Sequence, residues 1–419
     1  MAFLPDTSIF RHQAYRQYWI FRQLISASRN MFAVAIGWQV YDLARLTRSV
    51  EESAFLLGLV GLAQFFPVLL LSLVGGQAAD RYNRKWILFI TNVVRVLAIL
   101  GLLAASSAAP DVTLISIFIV AAVMGCVNAF TPAASNALFP TLVPREEIPK
   151  AISWNSLGFQ GAAIAGPALG GFLYIGGPNL VYGVCAAMVA IAVLMIYLAQ
   201  TPRQEPVKNA RGLKMMIEGL RYVGSNRVVF GAISLDLVVV FFGGATALLP
   251  VVARDILNVG AEGLGFLRAA PAIGAAIVAF IIASNPLSRR VGTWLLASIA
   301  VYGVAMLGFA FSKLFFLSMI FLAITGAADL ISVIIRQSLI QLSTPDTMRG
   351  RVASVNFLFI SASNELGEFE SGVAARFLGP VGAVVLGGVI AIACSVAWFR
   401  LFPVMSRTDR YEDAAIVEK

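Results

Sequence analysis

Long runs of apolar residues, each broken by a short polar stretch, recur along the whole chain. A helix that crosses a bilayer needs about 20 mainly apolar residues. Twelve runs reach that length: 18–43, 53–79, 86–107, 112–138, 151–176, 179–200, 227–251, 262–284, 291–311, 314–341, 352–377 and 380–402. Their connections are short except for the polar stretch 201–226. The pattern therefore predicts an N-terminal six-helix lobe over 1–200, a linker over 201–226, a C-terminal six-helix lobe over 227–402 and a tail over 403–419. No connection is long enough to hold a soluble domain. In the linker, Leu213, Met216, Ile217 and Leu220 recur at helical spacing while Lys214, Glu218 and Arg221 fall elsewhere around the turn. That predicts an amphipathic helix over Lys208–Tyr222 lying on the membrane surface.

Composition agrees. Of 419 residues, 59% are hydrophobic and 13% are charged, against about 25% charged in an ordinary globular chain. Thirty-six Gly and 17 Pro lie scattered through the apolar runs, which membrane helices tolerate and soluble ones do not. A soluble enzyme, a disordered chain and a secreted disulfide scaffold are excluded. Cys126, Cys185 and Cys394 stand alone in apolar runs, and the single histidine, His12, lies in the polar N-terminal segment. Neither a metal centre nor a histidine-based catalytic site can be assembled from them. No cofactor and no metal are expected. No cleavable signal peptide is expected either, because Arg11, His12 and Arg16 precede the first apolar run.

The net charge of +9 takes its meaning from its distribution. With the N-terminus placed in the cytoplasm, 21 Lys and Arg fall on cytoplasmic segments, 5 on outer segments and 5 within spans. The excess of cations on cytoplasmic loops sets orientation, so both termini are expected inside. The same asymmetry accounts for the basic balance without a nucleic-acid partner.

The halves repeat. A shift of 201 residues brings Gly125 onto Gly326, Leu138 onto Leu339, Pro144 onto Pro345, Lys150 onto Arg351, Ser153 onto Ser354, Asn155 onto Asn356, Gly166 onto Gly367 and Gly171 onto Gly372. A repeated six-span unit is the sequence sign of a transporter built from two related lobes with the substrate path between them.

The segment Gly76-Gln-Ala-Ala-Asp80-Arg81-Tyr-Asn-Arg84-Lys85 resembles the signature loop between the second and third spans of the major facilitator superfamily. Gly166-Pro167-Ala-Leu-Gly170-Gly171 resembles that superfamily's antiporter motif in the fifth span. With twelve spans in a six-plus-six repeat, the resemblance covers nearly the whole chain. Trp38-Gln39-Val40-Tyr41-Asp42 and Thr344-Pro345-Asp346-Thr347-Met348-Arg349-Gly350-Arg351-Val352 are similar to the branch that contains enterobactin exporters and macrolide efflux pumps. The fold implied is an all-α membrane protein of twelve transmembrane helices in two pseudo-symmetric six-helix lobes. The activity implied is proton-driven export across a bacterial inner membrane. One departure stands out: antiporters of the superfamily often carry an Arg in the fourth span, and 112–138 contains none.

The resemblance also places Asp80 at the cytoplasmic start of the eleventh helix. A carboxylate beside a helix N-terminus gains about 0.3–1 kcal/mol, and Arg349 and Arg351 would add to the field. Asp80 would then latch the lobes on the cytoplasmic side and favour the outward-facing state, while Arg81, Arg84 and Lys85 hold the loop and anchor at head groups. Plain cytoplasmic anchoring would leave the same pattern. Gly166, Gly170 and Gly171 allow close helix approach, and Pro167 should bend the span. Their role is either a bend that sets the state equilibrium or tight packing alone.

Ionisable groups inside spans cost about 2.5–3.5 kcal/mol each near a helix centre, so they face the interior or water. Asp236 lies nine residues past Arg227, about 14 Å along a helix, near mid-membrane. Asp329 and Arg336 are seven apart in the tenth span and share a face. Arg29, Arg95 and Arg268 are further candidates. In the eleventh span Glu365 and Glu368 share a face, whereas Glu370 points nearly opposite Glu368. The repeat is a control: the positions matching Glu365, Glu368 and Glu370 are Ile164, Pro167 and Leu169, and Asp329 matches Asn128. The fold does not need these acids. Since the resemblance surrounds the central cavity with the first, fourth, seventh and tenth spans, Asp236 and Asp329 are the favoured cavity groups. Burial favours a neutral carboxyl group and a nearby guanidinium favours the charged one. Asp236, Asp329 or Glu368 is thus expected to carry an exchanged proton, the alternative being ion pairs with Arg29, Arg268 or Arg336. Trp19, Phe32, Trp38, Tyr41, Phe65, Phe241 and Phe242 could give the cavity an aromatic lining suited to an amphipathic cargo.

The expectation is a monomeric secondary transporter, not an enzyme, whose partners are a small-molecule substrate, protons and the lipid bilayer. It would export a drug, macrolide or siderophore by alternating access; an importer or lysolipid flippase on the same fold is the alternative.

Overall fold

The computed structural model describes residues 7–202, 212–285, 287, 289–403, 405, 408 and 409, without the side chains of 212–215 and 245. Every regular element among them is helical. The helices are α1 (Gln13–Ala44), α2 (Val50–Arg81), α3 (Arg84–Ala105), α4 (Pro110–Leu138), α5 (Ile148–Tyr174), α6 (Pro178–Leu198), α7 (Gly212–Ser225), α8 (Arg227–Phe242), the one-turn α9 (Leu249–Val251), α10 (Ala261–Ser284), α11 (Val291–Phe311), α12 (Phe315–Leu342) and α13 (Asp346–Leu401).

Among the described residues nine helical stretches are long and apolar enough to cross a membrane. Three more spans complete the twelve. The 56-residue α13 is two helices joined at Gly379, whose φ of 73° interrupts the helical backbone. The other two are α1 and α5, which have the length but are more polar; α1 alone carries Arg16, Arg22 and Arg29. The Gly379 bend shows the repeat in three dimensions. Gly177, at φ 91°, precedes Pro178 at the start of α6, and Gly379 precedes Pro380 in the same way. A residue without Cβ makes the reversal, and proline suits the first helical turn because its missing N–H would have no intrahelical partner there. Side-chain caps mark other starts: Asn83 accepts from Lys85 N–H at 3.0 Å and Asn226 from Val229 N–H at 2.9 Å.

The chain forms two compact units. The first comprises Met1–Leu46, Leu62–Gly212 and Gly260–Ala269; the second comprises Thr47–Gly61, Leu213–Val259 and Ala270–Lys419. A segment of each sequence half is thus packed with the opposite half. In the first unit α1 packs on α5 and α6, and α3 on α4 and α6. Tyr15, Tyr18, Phe21, Leu88 and Leu138 are buried there. Tyr15 Oη donates to Ala151 O at 3.1 Å and Tyr18 Oη lies 2.6 Å from Ser135 Oγ. In the second unit α11 packs on α12 and α13, and α8 on α13 and α12. Leu235, Leu295, Ile335, Leu339 and Val355 fill its core.

A polar tether closes the N-terminal end of the first unit. His12 Nε2 and Glu147 Oε2 are 2.7 Å apart, and Arg11 pairs with the other Glu147 oxygen. The His12 hydrogen bond, with Arg11 and Lys150 nearby, holds the Glu147 carboxyl below its usual value of 4.5. A depressed carboxylate contributes stability that is complete above its unfolded value and is lost as pH falls through the folded one. Unfolding temperature of the purified protein should therefore drop on acidification below about pH 4.5, and Glu147→Gln should remove part of that drop. Identical acid limbs for both proteins would refute the assignment.

A candidate transport site in the second unit

Acids of α8 and α12 converge on one arginine. Arg336, buried on α12, forms an ion pair with Asp236 of α8, and its Nη2 lies 3.8 Å from Oδ1 of Asp329, which precedes it on α12. Its Nε donates to Ser332 O at 3.3 Å. The seven-residue spacing of Asp329 and Arg336 sets them on one face, as helix geometry requires. Of the cations expected to pair with these acids, Arg29 and Arg268 lie in the first unit, and Arg336 is the one seated between Asp236 and Asp329.

The two carboxylates differ in access. The Asp236 side chain is 11% exposed and the Asp329 side chain 54%. A gap of about 10 Å³, room for one water, lies among them, lined also by Ser298, Tyr302 and Ser332.

The seventh span is not one helix. α8 ends at Phe242, Gly243 and Gly244 follow, and the chain resumes through a 3₁₀ turn, α9 and a π turn over Val252–Ile256. Two successive glycines weaken the helix, and a kink needs its freed carbonyls satisfied. Tyr302 of α11 does this, donating to Gly243 O at 3.1 Å. Tyr302 therefore connects the helix break to the acid cluster, a link that sequence spacing does not display. Broken helices are a recurrent construction for transporter sites.

The first unit carries a different polar centre. Arg95, buried on α3, donates from Nη2 to Asn128 Oδ1 on α4 at 3.1 Å. Its Nε is buried without a hydrogen-bond partner among the described residues. Arg29 is within electrostatic reach. The fourth span lacks its own arginine, yet α3 supplies a guanidinium beside it.

Glu368 and Glu370 of α13 have different surroundings. Glu368 faces the N-terminal half of α2: its Oε2 would be 3.1 Å from a Cβ placed on Gly61. Glu370 is turned away, toward Phe241 and Leu386.

The remaining motif residues anchor helix ends. Arg84 donates to Ala79 O at 3.1 Å and to Ala137 O at 3.0 Å, and Lys85 donates to Ala199 O at 2.7 Å. These cations satisfy terminal carbonyls of α2, α4 and α6, where the helix dipole favours them. Arg81 is exposed, and Asp80 is half-buried with no ion pair among the described residues. Arg349 is paired with Asp346 and Arg351 with Glu218, each at 2.6 Å. Gly166 and Gly170 press on α1: a Cβ on Gly170 would lie 2.8 Å from Met31 Cα. Gly171 meets the start of α10, where a Cβ would lie 3.0 Å from Gly265 Cα.

Of the aromatic candidates, Phe32, Tyr41 and Phe65 are packed in cores, Phe32 edge-on to Tyr182. Trp19 packs edge-on to Phe10 and Trp154 and donates to Trp154 O. Phe241 and Phe242 stand edge-to-face at the α8 break, and Phe241 lines a separate cavity. The linker helix begins at Gly212; residues 208–211 of the expected span lie outside the described residues. Tyr222 Oη donates to Ser343 O at 2.7 Å and Glu218 holds Arg351, so one face of α7 is docked on the second unit. Ile217 and Leu220 are exposed.

The chain has relatives of known kind. Residues 6–415 match the family described as transmembrane secretion effector. Over 398 residues the chain is 27% identical to the enterobactin exporter EntS of Shigella dysenteriae serotype 1 (strain Sd197), covering 94% of this chain and 90% of that protein. EntS of Escherichia coli O81 (strain ED1a) matches over the same shares at the same identity. Among solved structures, a bacterial homologue of the human lysosomal transporter Spinster superposes with a TM-score of 0.71 at 15% identity, covering 96% of this chain and 98% of that one. A bacterial homologue of the iron transporter ferroportin in its inward-facing state gives 0.69 at 16% identity, covering 93% and 100%. At such identity the structures speak for the fold alone.

Proposed function

Since the chain belongs to the transmembrane secretion effector family of the major facilitator superfamily, we propose that it is a proton-coupled exporter of a small amphipathic compound of siderophore type, working by alternating access in a bacterial inner membrane. Its two six-helix repeats are the moving parts, both termini are cytoplasmic, and it acts as a monomer. The cation excess on the loops supports that orientation. The relatedness to enterobactin exporters supports the direction and cargo class.

One observation carries the coupling: Asp236, Arg336 and Asp329 form a charged cluster, and in the tenth span the repeat has Ser135 and Asn128 where Arg336 and Asp329 stand. A fold requirement would act on both halves. Asp236 is the structural partner that keeps Arg336 charged and fixed. Asp329 is the exchanging group, because half of its side chain is open, and an open carboxylate on a span faces water far more cheaply than lipid. When ionised it accepts a hydrogen bond or positive charge from cargo; a proton arriving at the same oxygens displaces that group. Arg95 and Asn128 offer donors and an acceptor for further polar groups of cargo. Asp80, with Arg81, Arg84 and Lys85, is the conformational latch, and Gly166, Pro167, Gly170 and Gly171 the close-packing element of the same unit. Glu365 and Glu368 are secondary proton carriers.

The test is export in proteoliposomes with an imposed pH gradient, using enterobactin as the probe cargo. Asp329→Asn should fold as wild type and lose stimulation by the gradient while retaining slow downhill exchange. Full gradient-driven export by this variant would overturn the coupling assignment. No movement of enterobactin by the wild type would overturn the cargo class.

A further inference from the structure

Glu370 has no place in the cluster above. It sits on α13 in a cavity of about 370 Å³, otherwise lined by Phe241, Phe369, Val373, Ala374, Phe377, Leu378 and Leu386. This is within the range of about 300–1,000 Å³ typical of small-molecule pockets. The lining is apolar apart from the carboxylate. Among the described residues no Lys, Arg or His pairs with Glu370; its neighbour is the Ser371 hydroxyl. The nearest cation along the helix, Arg376, is instead held over the Phe55 ring at 4.9 Å. The repeat supplies the contrast: the matching Leu169 is half exposed. Two of the lining residues, Phe377 and Leu378, are 79% and 56% exposed, so the cavity is open at the surface of its unit.

A carboxylate without a cation is costly inside a span, and this one stands where the fold accepts leucine. Phe241, Phe369 and Phe377 present rings around it, and aromatic faces attract cations as the carboxylate does. Depth narrows the occupant. Glu370 lies nine residues before the Gly379 bend, about 14 Å at 1.5 Å per residue, close to the middle of a hydrocarbon core about 30 Å thick. A phospholipid ammonium stays at the interface, whereas a hydrophobic cation dissolved in the bilayer reaches that depth. We propose that this cavity is a membrane-facing binding site for a monovalent organic cation with an aromatic or aliphatic body, held by Glu370 and its ring of phenylalanines. The site is separate from the Asp236–Arg336–Asp329 cluster and stands without the coupling reading.

The test is equilibrium binding of radiolabelled tetraphenylphosphonium to the purified full chain, with tetraphenylborate as a competitor of matching shape and opposite charge. Wild type should bind the cation saturably, and tetraphenylborate should fail to compete. Glu370→Gln should weaken binding at least about tenfold, since a charge-assisted contact is lost, and Glu370→Asp should retain it. Val373→Trp, which fills the cavity and keeps the acid, should also abolish it. Dicyclohexylcarbodiimide modification of unmutated protein, mapped by mass spectrometry, avoids dependence on variant folding: Glu370 should be labelled, and tetraphenylphosphonium should block the label. Wild-type affinity in Glu370→Gln, or labelling of Glu370 indifferent to the cation, would overturn the proposal.

Discussion

Arg336→Gln should be the most damaging single substitution in the second unit: destabilised by about 3–5 kcal/mol, the usual cost of stranding a buried charge, and inactive in transport. Arg336 is 7% exposed and pairs with Asp236, itself 11% exposed. Removing the guanidinium leaves the Asp236 carboxylate without its cation in a membrane interior. The double variant Arg336→Gln with Asp236→Asn strands nothing. Because a buried ion pair exchanged for neutral groups of similar shape is often neutral or stabilising, the double variant should recover most of the lost unfolding temperature in detergent. Its gradient-driven export should stay absent, since Asp329 no longer has the cation against which its proton is balanced. A stable double variant that transports normally would show the cluster to be packing only. An Arg336→Gln protein as stable as wild type would show that the pair is not the charge anchor its burial implies.

The spans are legible in the sequence because bilayer length imposes runs that no other constraint would produce, and the 201-residue shift locates Gly166, Gly171, Gly367 and Gly372 as equivalent contacts. The Asp329–Arg336 pairing follows from helical spacing alone. What spacing does not carry is partnership across helices. Asp236 meets Arg336 rather than Arg29 or Arg268 because α8 packs on α12 in one unit, a fact of tertiary contact. Tyr302 is illegible for the same reason: its task, satisfying the Gly243 carbonyl, exists only once α8 breaks. Glu370 is visible as the acid pointing the wrong way on α13, but its cavity depends on Phe241 and Leu386 from other stretches of chain. The crossing of residues 47–61 and 260–269 into opposite units leaves no sign in the sequence, since small residues signal close approach without naming the partner.

Those crossed segments carry the other large expected effect. Ala54 and Gly58 on α2 pack against Gly372 on α13, and Ala261 and Gly265 on α10 pack against Gly171 on α5. Each is a small-xxx-small pair facing one of two repeat-related glycines, so the same crossing is built twice. A Cβ on Gly372 would lie 2.7 Å from Gly58 Cα, 3.0 Å from Gly58 N and 3.2 Å from Ala54 O. All three are backbone atoms, which no rotamer change can move aside. Gly372→Trp must therefore displace residues 47–61 from the second unit, the end that loop charge assigns to the outer face. Gly183 has nothing within 4 Å of its Cβ position, so Gly183→Trp is the control for added bulk. The reporter is Ala54→Cys, a thiol introduced at a fully buried position, in a background with Cys126, Cys185 and Cys394 replaced. A membrane-impermeant maleimide should label this thiol slowly in the parent and in Gly183→Trp. In Gly372→Trp labelling should be at least about tenfold faster, as expected when overpacking of about 1–3 kcal/mol is relieved by opening the contact, and export should cease. If the introduced thiol stays protected in a folded, transporting Gly372→Trp protein, the close glycine crossing is not part of the transport cycle.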